Sequence, residues 1–477
     1  MSELPPKNRN LVLGATSIGA IMSPLLGMMI ILAMPVISSE FSVSARDIGW
    51  LSTAFILANV ICLVPASQFV DRIGYKKSYI IGTAIVALAC LLSIFAPNFG
   101  VLITLRVITG AGISLVMITS IAILTRIFPK TKRGFVIGIN TAMVYLGLTL
   151  GPVLGGLLTD AFGWRSLFIL CTPLLCLSGI FIFFFLKTEF TEPVPKFDKL
   201  GTFLYAAATF CLMYGISTIT DNGSLILAAI GLALFVAFII CELKREYPVL
   251  HISLFTKNRR FARSSYAALF NYASSYAVVY MLSLYLQSVG QLTATEAGLI
   301  LLFQSLIQVI FTPIIGKLAD KIDPKYLATA GMALTIAGLV LLSGIGLSGA
   351  DARGYIMVVQ VLIGLGAALF SAPNTTTIMN SVPKQEYSAA SGIISVVRQY
   401  GMLISMGICM AVISIFVGGT EVLSASMYAD FAFAIKVSML ICAGLCAIGL
   451  LFSWFRGKAP ADVSGEEQGQ KPMERES

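Results

Sequence analysis

The sequence predicts an all-α polytopic membrane protein of 14 transmembrane helices, grouped as two six-helix bundles with two linker helices inserted between them. Three observations carry that expectation. Charged residues make up 12% of the 477 positions and hydrophobic ones 57%, with a mean hydropathy of +0.90. A soluble domain carries about 25% charged residues, so this chain lacks the polar groups to cover itself. Apolar runs recur fourteen times at a length that crosses hydrocarbon, about 20 residues each. Finally, a charged loop after the second run returns in altered form after the tenth, which marks an internal duplication.

The runs fall roughly at 11–37, 48–69, 77–96, 100–127, 134–158, 164–187, 200–219, 223–243, 262–287, 294–319, 325–347, 353–378, 388–417 and 430–455. The first is too long for a signal peptide and no small-residue cleavage site follows it, so it is expected to remain as a helix. The duplication makes 1–190 an N-terminal bundle, 191–258 a linker carrying spans 7 and 8, and 259–457 a C-terminal bundle. The tail 458–477 is polar and Gly/Glu-rich and is expected to be disordered. With the N-terminus inside, the inner segments hold 26 lysines and arginines, and the outer loops hold only Arg46, Arg165 and Arg353. That asymmetry puts both termini in the cytoplasm.

The net charge of +9 thus lies in short clusters between apolar runs, with no broad basic face for nucleic acid. All nine cysteines lie in apolar runs without a CxxC pair, and His251, in the loop after span 8, is the only histidine. Neither a disulfide framework nor a metal site is expected. No P-loop, HExxH or GxSxG pattern occurs in the loops, so an enzyme is not expected either.

The loop after span 2 reads SQFVDRIGYKK (67–77), and that after span 10 reads GKLADKIDPK (316–325). Superposing Asp71 on Asp320 puts Ser67 on Gly316 and a basic residue after each aspartate. There Asp71 can pair with a basic residue or cap a neighbouring helix, contacts that hold only while the cytoplasmic side is closed. Three basic residues lie at lipid depth: Arg106 in span 4, Arg398 in span 13 and Lys436 in span 14. Each costs about 2.5–3.5 kcal/mol there and is a functional group by default. Arg106 is expected to face the central cavity and Arg398 to sit near mid-depth, while Lys436 is close enough to the outer end to snorkel.

Span 5 contains YLGLTLGPVLGG (145–156). Gly147, Gly151 and Gly155 share one helix face and invite close approach by a neighbour, and Pro152 should kink the helix beside Gly156. Candidate cavity residues are Asn59 in span 2, Asn271, Tyr272, Tyr276 and Tyr280 in span 9, Gln304 and Gln308 in span 10, and Gln360 and Asn374 in span 12. Together they would form an amphipathic pocket. The methionines of span 1 read as packing. All 23 carboxylates lie in loops or near span ends.

At these residues the chain resembles the major facilitator superfamily, and within it the fourteen-helix drug:proton antiporters. The pattern G-x-L-A-D-R-x-G-R-K is met by Ser67, Phe69, Asp71, Arg72, Gly74 and Lys76, with serine in place of the first glycine. R-x-x-x-G-x-G is met by Arg106, Gly110 and Gly112, and G-x-x-x-G-P-x-x-G-G by Gly147, Gly151, Pro152, Gly155 and Gly156. Asp198, Gly201, Glu242, Pro248, Leu254 and Phe255 around the insert, and RQYG at 398–401, are similar as well. The resemblance implies proton-coupled export of small amphipathic organic compounds or drugs by alternating access, with span 5 sealing the two bundles. It also implies a proton gradient instead of a cofactor. The partners implied are a small-molecule substrate, protons and the lipid bilayer, for a monomer in the plasma membrane of a prokaryotic cell. One departure stands out: Leu26 occupies the place of the usual first-span aspartate. This motivates an alternative, an exporter of anionic or zwitterionic metabolites whose coupling does not use a first-span carboxylate. Glu40, Asp47, Asp71, Asp160 and Asp430 remain open as proton carriers.

Overall fold

The structure, a computed structural model, describes residues 6–128, 133–191, 198–245, 253–319, 321–345, 352–382, 387–418 and 424–457. Its helices are α1 (Pro6–Phe41), α2 (Trp50–Ile73), α3 (Tyr75–Ser93), α4 (Phe99–Ile127), α5 (Arg133–Phe162), α6 (Ser166–Phe185), α7 (Lys199–Ser217), α8 (Ser224–Leu243), α9 (Ser253–Lys257), α10 (Arg259–Leu284), α11 (Ala294–Ala319), α12 (Pro324–Leu342), α13 (Ala352–Asn380), α14 (Tyr387–Phe416) and α15 (Tyr428–Trp454). Among the described residues, all but the short α9 are long and apolar enough to cross a membrane, 14 in total. They coincide with the fourteen runs. α10 to α15 therefore carry spans 9 to 14.

Polar side chains start the helices. Asn98 accepts from the Val101 N–H at α4, and Asp198 from the Gly201 N–H at α7. Asn258 does the same for Arg260 and Phe261 at α10, and Asp323 for Lys325 at α12. Thr293 and Glu296 form a reciprocal capping box before α11. Each pairs first-turn backbone donors that have no acceptor within their own helix.

The packing repeats. In the N-terminal bundle α1 packs on α5 and α6, α4 on α2 and α3, and α3 on α6. The C-terminal bundle uses the corresponding pairs: α10 on α14 and α15, α13 on α11 and α12, and α12 on α15. A sequence match lies beneath this, because RVITGAG (106–112) in α4 returns as QVLIGLG (360–366) in α13. Gly110 lies against the Phe55 carbonyl of α2, and Gly364 lies against the Gln304 carbonyl of α11. A Cβ on Gly82 would stand 2.9 Å from the Gly112 carbonyl, and one on Gly331 2.6 Å from that of Gly366. Only glycine allows helices to cross so closely.

The bundles meet through α5 on α11 and through its repeat-related counterpart, α2 on α14. The insert is not a passive tether. α7 packs against both α2 and α14; Tyr205 donates to the Val60 carbonyl (3.1 Å), and Thr209 bonds the Tyr400 hydroxyl (2.5 Å). α8 backs α7 and keeps an apolar outer surface, including Leu225, Ile226 and Leu232.

Candidate functional site

The end of the molecule where α1 begins and α15 finishes carries the basic loops and is called the basic face; the opposite end is the far face. Among the described residues, cross-bundle hydrogen bonds cluster in the far half. Tyr280 donates to the Ala45 carbonyl (2.6 Å), Ser283 to that of Ile31 (3.1 Å) and Gln287 to that of Leu32 (3.1 Å). Tyr276 and Ser52 share a bond of 3.3 Å, and Thr53 reaches the Met410 sulfur at 3.2 Å. Asp160, at the end of α5, receives the Ala294 and Thr295 N–H groups at 3.2 and 2.7 Å. It therefore places a carboxylate on the α11 N-terminus, where the helix dipole favours it. Backbones touch here too: Gly156 lies against the Ala294 carbonyl, and a Cβ on Gly298 would stand 2.5 Å from that of Pro152. The deepest of these bonds, Ser305 to the Leu148 carbonyl (3.4 Å), is near mid-depth.

At the rim of this seam Arg46 joins three units. Its guanidinium bonds Asp47 (3.0 Å), Asp221 of the insert (2.8 Å) and Ser414 of α14 (3.5 Å). Burial works to lower its pKa, but the bonds to Asp221 and Asp47 outweigh that and leave it above its ordinary value.

Basic-side of the seam, α5, α10 and α14 bring Tyr145, Tyr272 and Arg398 together. All three are half-buried. Arg398 and Tyr145 both lie near enough to the Tyr272 hydroxyl to interact with it electrostatically. Gln304 and Gln308 on α11 are half-buried as well. This cluster pairs aromatic rings with one cation and is the candidate substrate site. Tyr145 was not among the residues singled out from the sequence.

Other expectations are corrected. Arg106 does not face the cavity. It is fully buried, its Nε donating to the Leu51 carbonyl (3.0 Å) and its Nη2 to that of Leu26 (3.2 Å), with Phe55 stacked 4.5 Å away. It ties α1, α2 and α4 together, and its Nη1 has no partner. Leu26 thus contributes its backbone to this arginine, a contact that residue-type reasoning cannot see. Gly147, Gly151 and Gly155 meet Ile21, Met28 and Met29 of α1, inside their own bundle; only Gly156 reaches across. Asn59 bonds Met117 and Asn374 bonds the Ser264 carbonyl, each within its own bundle. Gln360, the counterpart of Arg106, is fully buried with both amide atoms unpaired. Asn271 is buried, and Tyr276 and Tyr280 belong to the seam. Lys436 is exposed on α15.

The gate loop lies at the basic face. Asp71 accepts from the Tyr75 hydroxyl of its own loop, and Arg126 stacks over that ring at 4.4 Å. Gly74 has φ +109°, and its left-handed turn lets Glu189 receive the Lys76 and Lys77 N–H groups at 2.8 and 3.1 Å. Ser67 bonds the Val64 carbonyl, and Arg72 is exposed. Gly316 has open space where a side chain would be. Asp320 and His251 lie outside the described residues.

Comparison with known proteins identifies the family and the fold. The family model described as Major Facilitator Superfamily matches residues 16–241 and 264–475. The riboflavin transporter RibZ of Clostridioides difficile is 30% identical over 94% of this chain and 98% of its own. The multidrug resistance protein Stp of Mycobacterium tuberculosis is 29% identical over 86% of this chain and 77% of its own. A bacterial homologue of the lysosomal transporter Spinster, solved inward-facing and unoccupied, superposes with a TM-score of 0.69 at 16% identity, covering 95% of this chain and 97% of that one. That last likeness speaks to the fold.

Proposed function

Since the chain belongs to the major facilitator superfamily, we propose that it is a secondary active exporter of small amphipathic organic compounds, working by alternating access with proton antiport as the driving reaction. The observation that carries this reading is the interface among the described residues: its cross-bundle bonds gather in the far half, and the aromatic and cationic cluster lies basic-side of them. With the basic face in the cytoplasm of a prokaryotic cell, that is a loading state for export. Tyr145 and Tyr272 offer ring faces to a planar apolar body, and Arg398 offers a charged anchor. Relatives named for riboflavin transport and multidrug resistance support organic substrates of this kind.

Arg398 also favours a second reading, in which the substrate is anionic or zwitterionic. Among the described residues no carboxylate forms an ion pair with Arg398, so a substrate anion would supply its counter-charge. One experiment tests both readings: substrate-induced proton release from the purified protein in weakly buffered detergent, over cationic, neutral and anionic aromatic compounds. Release on binding, with cellular efflux that collapses under an uncoupler, is expected. Efflux indifferent to the uncoupler would contradict antiport. Responses confined to anions, and lost in Arg398→Ala but kept in Arg398→Lys, would select the second reading.

A further inference from the structure

Two arginines are neighbours at the basic face of the C-terminal bundle, where Arg263, one turn on from Arg260, donates to the Phe455 carbonyl beside Arg456. Arg456, just past the end of α15, is 1% exposed. Its Nε donates to the Ser453 carbonyl (2.9 Å), its Nη2 to the Ser453 hydroxyl and its Nη1 to the Thr377 hydroxyl of α13 (3.3 Å). Arg260, in the first turn of α10, is half-buried, and its Nε and Nη1 are enclosed without any partner. The two guanidiniums repel each other; burial, then Arg260, pushes Arg456 down to about 10, with only partial relief from Asp323. Asp323 is itself engaged as the cap of α12. No ion pair joins it to either arginine among the described residues.

A like-charged pair that leaves the Arg260 Nε and Nη1 enclosed and unpartnered forms half of a binding site, since burying an unpaired charge is costly. The rest of the face fits a bilayer boundary. Arg259 is exposed beside Arg260. Lys325 lies 4.4 Å over the Trp454 ring, and Tyr326, Trp454 and Phe455 are exposed where amphipathic rings settle at headgroup depth. Arg263 is already committed to the Phe455 carbonyl, which holds the end of α15 in place.

We propose that Arg260 and Arg456 form a phosphate-binding site at the basic end of the C-terminal bundle, filled by a phosphate group whose oxygens accept the idle N–H donors of Arg260. A guanidinium presents paired donors that suit phosphate oxygens, and basic pockets between helices on the cytoplasmic side are where anionic headgroups bind. The bound anion neutralises the arginine pair and locks α10, α13 and α15 at the base of the bundle. The proposal does not depend on which compound is exported.

The test is thermal unfolding of the purified full chain in neutral detergent, titrated separately with inorganic phosphate, short-chain phosphatidylglycerol and the matching phosphatidylcholine. Phosphatidylglycerol is expected to raise Tm saturably and phosphatidylcholine not to. A matching rise with inorganic phosphate would assign the site to free phosphate, and its absence would assign it to the lipid headgroup. Arg260→Gln keeps the helix and loses only unpaired donors. It should therefore fold with an unchanged or higher Tm without anion, and bind the effective anion about tenfold more weakly. Arg456→Gln removes buried bonds and should lower Tm in every condition. Equal stabilisation of wild type and Arg260→Gln by the anion, or no stabilisation by either anion, overturns the proposal.

Discussion

The far and basic halves of the bundle interface are made from the same helices, yet they are built differently. In the far half, glycines bring backbones into contact and hydroxyl and amide groups reach neutral backbone carbonyls. In the basic half, Tyr145, Tyr272 and Arg398 remain half-buried around a polar cluster. Each neutral bond in the seam is worth about 0.5–1.5 kcal/mol. A set of such bonds is strong enough to close together, and breaking them strands no buried charge. The difference teaches how an interface can be tight and still reversible: fit and many weak bonds on the closing side, solvation and charge on the loading side.

Disturbing the backbone fit should have the largest effect. Gly156→Leu drives a side chain into the Ala294 carbonyl, and neither backbone can yield as a flexible side chain would. Export should fall by well over tenfold, while probes at the far face gain access to the seam; wild-type efflux in this variant would break the comparison. Next comes the loading side. Arg398→Ala should cost about 2–3 kcal/mol of substrate binding, the scale of a charged hydrogen bond, with little change in Tm. Arg106→Ala should do the reverse, lowering Tm because it frees the Leu51 and Leu26 carbonyls and leaves a cavity. Tm and substrate affinity, measured for both variants, check that contrast.

Smaller effects sharpen the picture. Arg46→Ala removes a rim bond to Asp221 that is partly exposed, worth about 1 kcal/mol or less. It should shift the balance modestly toward the far-open form, and the shift should shrink in high salt. Gly316→Ala should leave transport unchanged and stabilise α11 slightly, by about 0.5–1 kcal/mol, because nothing occupies the space its Cβ would take. A transport defect there would restore a gate role for that position.

Much of the fold was legible in the sequence, because hydrophobic length is a direct imprint of the bilayer. The fourteen runs, the two of the insert included, all correspond to helices of the structure. A stronger mark of the duplication, RVITGAG against QVLIGLG, lay in the sequence and was overlooked beside the charged loops. The site was less legible. Arg106 looked like a cavity residue by type, but its partners are backbone carbonyls, which no residue pattern records. Gly147, Gly151 and Gly155 announced a close approach without naming the neighbour, which is α1 and not the other bundle. Tyr272, Tyr276 and Tyr280 do share one face, but only depth separates the first, at the substrate cluster, from the other two in the seam.

The central claim, that the two faces open in alternation, is tested most directly by spin-label distances on the full chain in lipid. One pair would span the far seam at Phe162 and Leu299, and the other the basic face at Arg72 and Lys321, all exposed positions. Without a gradient the far pair should be short and the basic pair long, and conditions that drive turnover should lengthen the first while shortening the second. Distances that stay fixed, or that lengthen at both faces together, would contradict alternating access.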